Sequence, residues 1–273
     1  MGTRLKLLRL LGVLLILVVL GWEPARAQEL DLKALIDEAF TNNPELSVLE
    51  HRWEGFEARI PQAGALNDPM FRFDALTLPS NSFDFDSTPM SGKMFTFSQQ
   101  VPFPGKLAAK EQMAQHAAAA ALASFQDRKG AVVNLVKQAY FTLAFLDRAI
   151  EITAKNEALL KDFVRIAQTK YAVGRGVQQD VLKAQVSRSG LMDQLLVLKS
   201  KRRLTEARLN LVLNRPPQEQ VGIPGKVVLT PFEMPLEKIQ QAALDNRPLL
   251  KGIDRTIQQW AASENLASRQ YWP

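Results

Sequence analysis

The residue types that most often carry catalysis or bind metals are few and widely spaced in this sequence. The 273 residues contain no cysteine and two histidines, His51 and His116, which fall on different predicted helices. A metal site needs several such ligands brought together, and no carboxylate–histidine motif surrounds either residue, so surface or packing roles explain them better. No nucleophile and base stand in a spacing that would support covalent catalysis. These observations argue against an enzyme and against a bound metal or cofactor.

Two other patterns offer chemistry, and neither is well supported. Met70, Met90, Met94 and Met113 are scattered, so a copper-handling cluster near residues 70–94 competes with the commoner role of methionine in cores and lipid-facing surfaces. The pair Gly105-Lys106 is not a phosphate loop, because no glycine lies five residues before the glycine and no Ser or Thr follows the lysine.

The short motif that does suggest a contact surface is the turn Val173-Gly174-Arg175-Gly176. Glycine adopts the left-handed backbone that ends a helix at least cost, so both glycines are predicted to be left-handed. Arg175 has little room to bury its charge and is predicted to project from the turn. Asp180 follows near the start of the next helix, where a carboxylate suits the helix dipole. The alternative is a turn that only reverses the chain, with Arg175 as a solvated charge.

Two long proline-free runs flank this turn. The first, Lys106–Ala172, has 67 residues and a single glycine, Gly130, and the second is Val177–Leu213. At about 1.5 Å of rise per residue, a helix of the first run would be on the order of 100 Å long. Such a helix cannot fold around a compact core and needs a partner along its length.

Residues in both runs recur in alternating steps of four and three, the coiled-coil period that keeps one seam facing a neighbour. The seam of the first run is Val132, Val136, Ala139, Leu143, Leu146, Ile150, Thr153, Glu157, Leu160, Val164, Ala167 and Tyr171. The seam of the second run is Val181, Ala184, Arg188, Leu191, Leu195, Leu198, Arg202, Thr205, Leu209 and Val212. The polar members make the seam imperfect, which is tolerable if each helix contacts two neighbours. An antiparallel coiled-coil hairpin is the simplest interpretation.

Two strands are predicted before the long runs, at Met70–Leu78 and Lys93–Val101, because aromatic and polar residues alternate there. The aromatic positions are Phe71, Phe73, Phe95 and Phe97. Strands with this alternation occur in transmembrane β-barrels. A soluble hairpin whose aromatic face covers a small core is the alternative.

The N-terminus has the pattern of a cleavable secretory signal. Basic residues precede the apolar stretch Leu10–Leu20, and Ala25-Arg26-Ala27 fits the cleavage pattern, so residues 1–27 are predicted to be removed and the mature chain to begin at Gln28. The net charge of +6 then falls to +3, with 30 basic and 27 acidic residues remaining. This near-balance argues against nucleic acid as a partner.

An internal repeat appears at an offset of 204 residues. The aligned identical pairs are Leu32/Leu236, Ala39/Ala243, Asn42/Asn246, Pro44/Pro248, Leu46/Leu250, Ala58/Ala262 and Pro69/Pro273. The first repeat is predicted over residues 28–235, with equatorial helices at 31–66 (bent at Pro61), a β-hairpin at 70–101, a long helical hairpin at 103–213 and a connector at 214–235. Residues 236–273 are predicted to open a second repeat, so the sequence is expected to be a fragment of a longer protein.

The whole mature sequence resembles the TolC-like outer membrane efflux proteins. Three features carry the resemblance: the duplicated Leu-x-x-Leu-x-x-x-Ala-x-x-x-Asn-x-Pro segment, the bend Gln-x-Val-Pro-x-Pro-Gly-Lys at 99–106, and the stretch Tyr171–Gln185 with its glycine turn and Asp-Val-Leu-x-Ala. The bend looks most like the heavy-metal and cation branch. The family's second β-hairpin and second pair of long helices are not in these residues, and neither is the lipid-anchoring cysteine of some members.

The resemblance implies a mainly α fold and a homotrimer. Each full protomer would give four strands to a shared twelve-stranded outer membrane β-barrel and long helices to a periplasmic tube. The aromatic strand face would contact outer membrane lipid, and residues 173–176 would dock a periplasmic adaptor that is joined to an inner membrane pump. The protein would be a passive exit duct. A structural periplasmic coiled coil without a pore, or a non-functional fragment of the channel, is the alternative.

Overall fold

The computed structural model describes residues 29–77, 89–90, 92–225, 227–228 and 231–272. The predicted signal segment at 1–27 and most of the loop between the predicted strands lie outside the described residues. The helices are α1 (Leu32–Asn42), α2 (Pro44–Glu57), α3 (Arg59–Gly64), α4 (Lys106–Ala172), α5 (Gln178–Val212), α6 (Leu236–Asn246) and α7 (Pro248–Arg269). The strands are β1 (Glu29–Leu30), β2 (Met70–Leu76), β3 (Gly92–Ser98) and β4 (Ile223–Pro224). No helix in the described ranges combines the length and the apolar character needed to cross a membrane.

The chain divides into two compact units that do not follow sequence order. Among the described residues, one unit consists of residues 29–43 and those within 131–231, and the other of those within 44–130 and 232–272. Helix α4 contributes to both units, because the division falls after Gly130. The part of the helical hairpin from residue 131 onward belongs to the first unit, and the strand pair β2–β3 belongs to the second.

In the first unit, α4 and α5 form the predicted antiparallel hairpin. Every residue of the predicted seam is buried or partly buried except Tyr171, at the turn end of α4. Leu143 and Leu209 are fully buried. On α5, positions between 177 and 201 that lie off the seam are all exposed. The predicted coiled coil is therefore confirmed, and so is the mainly α fold class with its additional β-hairpin.

The charged seam residues Glu157, Arg188 and Arg202 all form ion pairs. Arg188 Nε donates to Glu157 Oε1 at 2.7 Å. Arg202 donates to Asp147 on α4 and to Glu206 on its own helix. The hydrogen bond to Asp147 is the main cause that raises the pKa of Arg202, against the opposing effect of partial burial. The polar positions that made the seam imperfect in sequence thus carry paired charges in the structure.

Helix α1 packs at the open end of the hairpin. Asp31 caps it by accepting hydrogen bonds from the N–H groups of Lys33 at 3.1 Å and Ala34 at 3.3 Å. Asn43 Nδ2 donates to the Val212 carbonyl at 2.9 Å, near the last turn of α5. The short strands β1 and β4 pair in parallel, with Glu29 opposite Ile223. These two-residue strands were not predicted from the sequence, where the second lies in the connector.

In the second unit, the later part of the equatorial helices predicted at 31–66 is divided into α2 and α3. The break at Ala58 lies three residues before Pro61. Proline has no N–H to donate to the carbonyl four residues earlier, and its ring crowds that carbonyl. The proline therefore interrupts the helix at residue 57 rather than at its own position.

The repeat predicted at an offset of 204 residues has matching helix ends. Helices α1 and α6 each have 11 residues, and α2 and α7 each begin with a proline. The preceding residues, Asn43 and Arg247, are both extended, with φ/ψ of −72°/115° and −67°/116°, as expected before proline. The two copies differ in burial, since Leu35 and Leu46 are buried whereas Ile239 and Leu250 are exposed. The division into one repeat at 28–235 and the start of another at 236–273 stays a prediction.

The buried seam makes a direct prediction about stability. Leu143→Ala should lower the free energy of unfolding of the purified chain by about 2–5 kcal/mol, because it leaves a cavity between α4 and α5. The matched control is Leu159→Ala on the same helix, where the leucine is 59% exposed and the cost should be below about 1 kcal/mol. Denaturant unfolding followed by helical circular dichroism measures both, and equal losses would contradict the hairpin.

Candidate functional site

The turn between α4 and α5 is a Schellman motif. The Gly174 N–H donates to the Tyr171 carbonyl at 3.0 Å, and the Arg175 N–H donates to the Lys170 carbonyl at 2.8 Å. Gly174 has φ of +71°, the left-handed conformation that this motif requires. The prediction for Gly174 is confirmed, and the last carbonyl groups of α4 are satisfied by the backbone of the turn.

The prediction for Gly176 is wrong, because Gly174 and Gly105 are the only described glycines with a left-handed φ. Gly176 is needed for space instead. A Cβ at Gly176 would lie 3.2 Å from the Cβ of Lys170 and 3.3 Å from the Tyr171 nitrogen. The missing side chain lets the chain pass close to the end of α4 before α5 begins. Sequence alone does not separate these two uses of glycine.

The side chains of the turn are open to solvent in this chain. Val173 and Val177 are 63% and 58% exposed, and Tyr171 beside them is 50% exposed. Arg175 is also exposed, as predicted. Asp180 lies in the first turn of α5, again as predicted, where its charge favours the helix N-terminus. An end of a hairpin that presents three large apolar residues to water has the composition of a contact surface.

The strand pair brings the four predicted phenylalanines onto one face. In the antiparallel register, Phe71 lies opposite Phe97 and Phe73 lies opposite Phe95. The rings of Phe73 and Phe95 have centroids 5.0 Å apart, and those of Phe71 and Phe95 are 6.0 Å apart. The polar face carries an ion pair of 2.7 Å between Arg72 and Asp74.

This aromatic face does not cover a core. Phe73 is 48% exposed, and the other three phenylalanines are 64–69% exposed. The alternative of a soluble hairpin packed on a small core therefore does not describe this structure. That lipid covers the four side chains is still a prediction.

The strands leave through a fixed bend into α4. Gly105 has φ of +88°, and the Lys106 N–H donates to the Phe103 carbonyl at 3.1 Å. The ring of Phe103 stacks on Trp272 with centroids 5.8 Å apart. Arg269 donates to the Pro104 carbonyl at 3.4 Å. The bend between β3 and α4 is thus held by the backbone at Gly105 and by contacts from Arg269, the last residue of α7, and from Trp272.

The residues considered for metal chemistry do not form a site in the described part of the chain. No group of three or more His, Cys, Asp or Glu residues there could hold a metal ion. His51 is exposed and bonds Glu54 at 2.9 Å, which raises the pKa of the histidine. Met70 lies opposite Ser98 whereas Met94 lies opposite Asp74. Since four residues of strand span about 13 Å, the two methionines are not neighbours.

A second apolar stripe runs along each long helix and is exposed. On α4 it consists of Phe141, Phe145, Ile152, Leu159, Phe163 and Ile166. On α5 it consists of Leu182, Val186, Val197, Leu204 and Leu211. Successive members of each stripe are separated by three or four residues or by sums of these, which is the coiled-coil period. Each stripe can therefore face a further helix. The sequence allowed for two neighbours of each helix, but it did not name these residues, because the buried seam has the same period.

An open groove of about 1400 Å³ lies in the first unit beside the α4 stripe. Its floor is formed by Phe141, Phe145 and Ile150, and the connector after α5 supplies Val227 and Val228. The lining is mainly apolar. The groove adds to the apolar surface that α4 leaves uncovered in a single chain.

The fold is that of outer membrane channels. VceC from Vibrio cholerae superposes with a TM-score of 0.73 at 20% sequence identity, over 90% of this chain and 61% of that protein. The CmeC outer membrane channel of Campylobacter jejuni superposes with a TM-score of 0.67 at 16% sequence identity, over 87% of this chain and 52% of CmeC. CusC superposes with a TM-score of 0.66 at 14% sequence identity, over 86% of this chain and 55% of CusC. The chain thus spans between half and two thirds of the length of these proteins.

Sequence comparison gives the family. The family model for outer membrane efflux proteins matches residues 35–215. This chain belongs to the outer membrane efflux protein family. A search of curated proteins returns no significant match.

The turn geometry predicts opposite effects for two glycine substitutions. Gly174→Ala should destabilise the chain by about 1–2 kcal/mol, because an L residue is strained in the left-handed region. Gly130→Ala is the matched control: Gly130 lies inside α4 with no atom within 4 Å of an added Cβ, so this change should stabilise by about 0.5–1 kcal/mol. Thermal unfolding measures both. Equal shifts of the same sign would contradict the turn described here.

Proposed function

We propose that this protein is the outer membrane exit duct of a tripartite efflux system. The observation that carries the proposal is the exposed aromatic face of β2 and β3, which adjoins a fixed bend into a helix of 67 residues. The aromatic strand face suits lipid, and the long helix suits the aqueous space beneath the membrane. The family match and the outer membrane location named for CmeC support this assignment.

The strand pair supports assembly into a closed barrel. Two strands leave two open edges, and unpaired backbone groups cannot stay in hydrocarbon. The pair therefore needs further strands on both sides. We assign these to a second repeat and to two other protomers, which gives the homotrimer of twelve strands implied by the family resemblance.

The exposed stripes of α4 and α5 support a helical tube. Each helix buries one heptad seam within the hairpin and presents a second seam outward, so neighbouring hairpins can continue the same packing. In the trimer, these hairpins form the periplasmic wall of the duct. A purely structural coiled coil would explain the helices but would leave the aromatic strand face without a role.

The turn at residues 173–176 is assigned to docking of a periplasmic adaptor, which links the duct to an inner membrane pump. The duct is passive in this proposal, and the pump supplies the energy and chooses the substrate. The bend at 99–106 resembles the heavy-metal and cation branch of the family, and we assign the duct to that branch on this sequence alone.

The lipid-facing assignment is tested with Phe73→Arg in the full-length protein. At mid-bilayer this change should cost about 2–4 kcal/mol and lower the amount of heat-resistant trimer in the outer membrane. The control is Ser98→Arg, which places the same charge on the opposite face of the strand pair. Trimer amounts are read by gel mobility with and without heating, and normal assembly of the Phe73→Arg variant would count against the barrel.

Docking at the turn is tested with Gly174→Leu and Arg175→Glu. Both variants should abolish export and adaptor cross-linking while the trimer stays folded in the outer membrane. Lys199→Glu, an exposed charge reversal on α5 away from the turn, is the control and should export normally. If both turn variants export like the unmodified protein, docking lies elsewhere on the tube.

A further inference from the structure

We propose that the turn end of the helical hairpin binds an acidic protein surface through three cations, Lys170, Arg175 and Lys183. We call these three residues the cationic rim. The inference rests on the proposed docking function and adds the chemistry of the partner's contact surface. It follows from the charge of the hairpin, from the pairing of its carboxylates and from the apolar side chains between the cations.

The positive charge of the mature sequence is concentrated in the hairpin. Residues 106–213 contain 18 basic and 9 acidic residues, whereas the rest of the sequence after residue 27 contains 12 basic and 18 acidic residues. The hairpin is therefore strongly cationic and the remainder is anionic. A protein with this asymmetry presents a positive field to whatever approaches its helical part.

Within the hairpin, most carboxylates are already occupied by cations. Asp147 and Glu206 pair with Arg202, and Glu157 pairs with Arg188. Glu151 bonds both Arg148 and Lys155, and Asp162 lies 3.1 Å from Arg165. These pairs neutralise the middle of the hairpin in part, so that the residues near the turn decide the charge that a partner meets there.

The cationic rim has no such neutralisation. No described carboxylate lies within ion-pairing distance of Lys170, Arg175 or Lys183, and all three residues are exposed. Asp180 is the only acidic residue between positions 163 and 192. It lies in the first turn of α5, where the helix N-terminus already favours its charge. The rim is thus ready to pair with carboxylates from another molecule.

The apolar residues between the cations indicate that this other molecule is a protein. Tyr171, Val173 and Val177 are exposed and lie between the cations of the rim along the sequence. An apolar centre with a polar surround is the usual plan of a protein interface, where tyrosine and arginine are enriched. An anionic polymer would pair with the cations but would gain little from the apolar centre. An acidic face on a protein partner satisfies both parts of the surface.

The physical consequence is a salt-dependent association. Complementary charges at the edge of an interface mainly increase the rate of encounter, and salt screens this effect. Electrostatic steering raises association rates by about 10–1000-fold. Removal of the rim charges should therefore slow docking at low salt and matter little at high salt.

The test uses the purified full-length trimer with a photo-crosslinking residue at Val177, mixed with its purified periplasmic adaptor. The rim variant is Lys170→Gln/Arg175→Gln/Lys183→Gln. The control variant is Lys199→Gln/Lys201→Gln/Arg203→Gln, which removes the same residue types from exposed positions of α5 away from the turn. Circular dichroism checks that both variants keep their helical content.

At low salt the rim variant should cross-link at least about tenfold more slowly than the control. At high salt the two rates should converge. The charge-conserving variant Lys170→Arg/Lys183→Arg should cross-link at the rate of the unmodified rim. The cross-linked adaptor segment should carry a net negative charge.

Equal rates for the rim and control variants, or a neutral or basic segment, would overturn the inference while leaving docking intact. Absence of any cross-link with the unmodified rim would overturn docking itself, and competition by soluble peptidoglycan fragments would reassign the rim to an anionic polymer.

Discussion

The constraint on which the rest of the structure depends is the length of α4. A helix of 67 residues has no core of its own and gains its stability from apolar faces that other elements cover. Helix α5 covers one seam, and ion pairs such as Arg188–Glu157 replace apolar contacts within that seam. The stripe through Phe145 and Phe163 has no cover in a single chain. This unfinished packing is the physical basis for the tube that we propose.

The two ends of α5 show how the hairpin is terminated. At its entry, Gly174 closes α4 with a left-handed residue, and at its exit Asn214 does the same for α5 with φ of +57°. The Arg215 N–H donates to the Asn210 carbonyl at 2.8 Å, and the Arg215 side chain bonds both oxygens of Glu38 on α1 at 2.5 Å. The exit is thus tied to α1 by charge, while the entry is left exposed. That asymmetry suits an anchored end and a docking end.

The sequence could predict what depends on periodicity and on local backbone rules. Steps of four and three placed Leu143 and Leu209 in the seam, and the repeat aligned Pro44 with Pro248, the residues at which two helices begin. It could not predict that Gly176 serves close packing, because two glycines in one turn look alike until the neighbouring backbone is known. It also could not predict the pairing of Glu29 with Ile223, since two residues carry no readable pattern. The partners of seam charges depend on the relative register of α4 and α5, which periodicity leaves open.

The proposed function depends on one face of the strand pair lying in lipid while the other does not. The most direct measurement places a nitroxide label on a single introduced cysteine at Phe95, and separately at its neighbour Thr96, in the reconstituted full-length protein. Electron paramagnetic resonance then compares relaxation by oxygen, which concentrates in the bilayer, with relaxation by a water-soluble nickel complex. The label at position 95 should respond to oxygen and the label at position 96 to the nickel complex. Equal and strong responses to nickel at both positions would contradict the placement of this face in lipid.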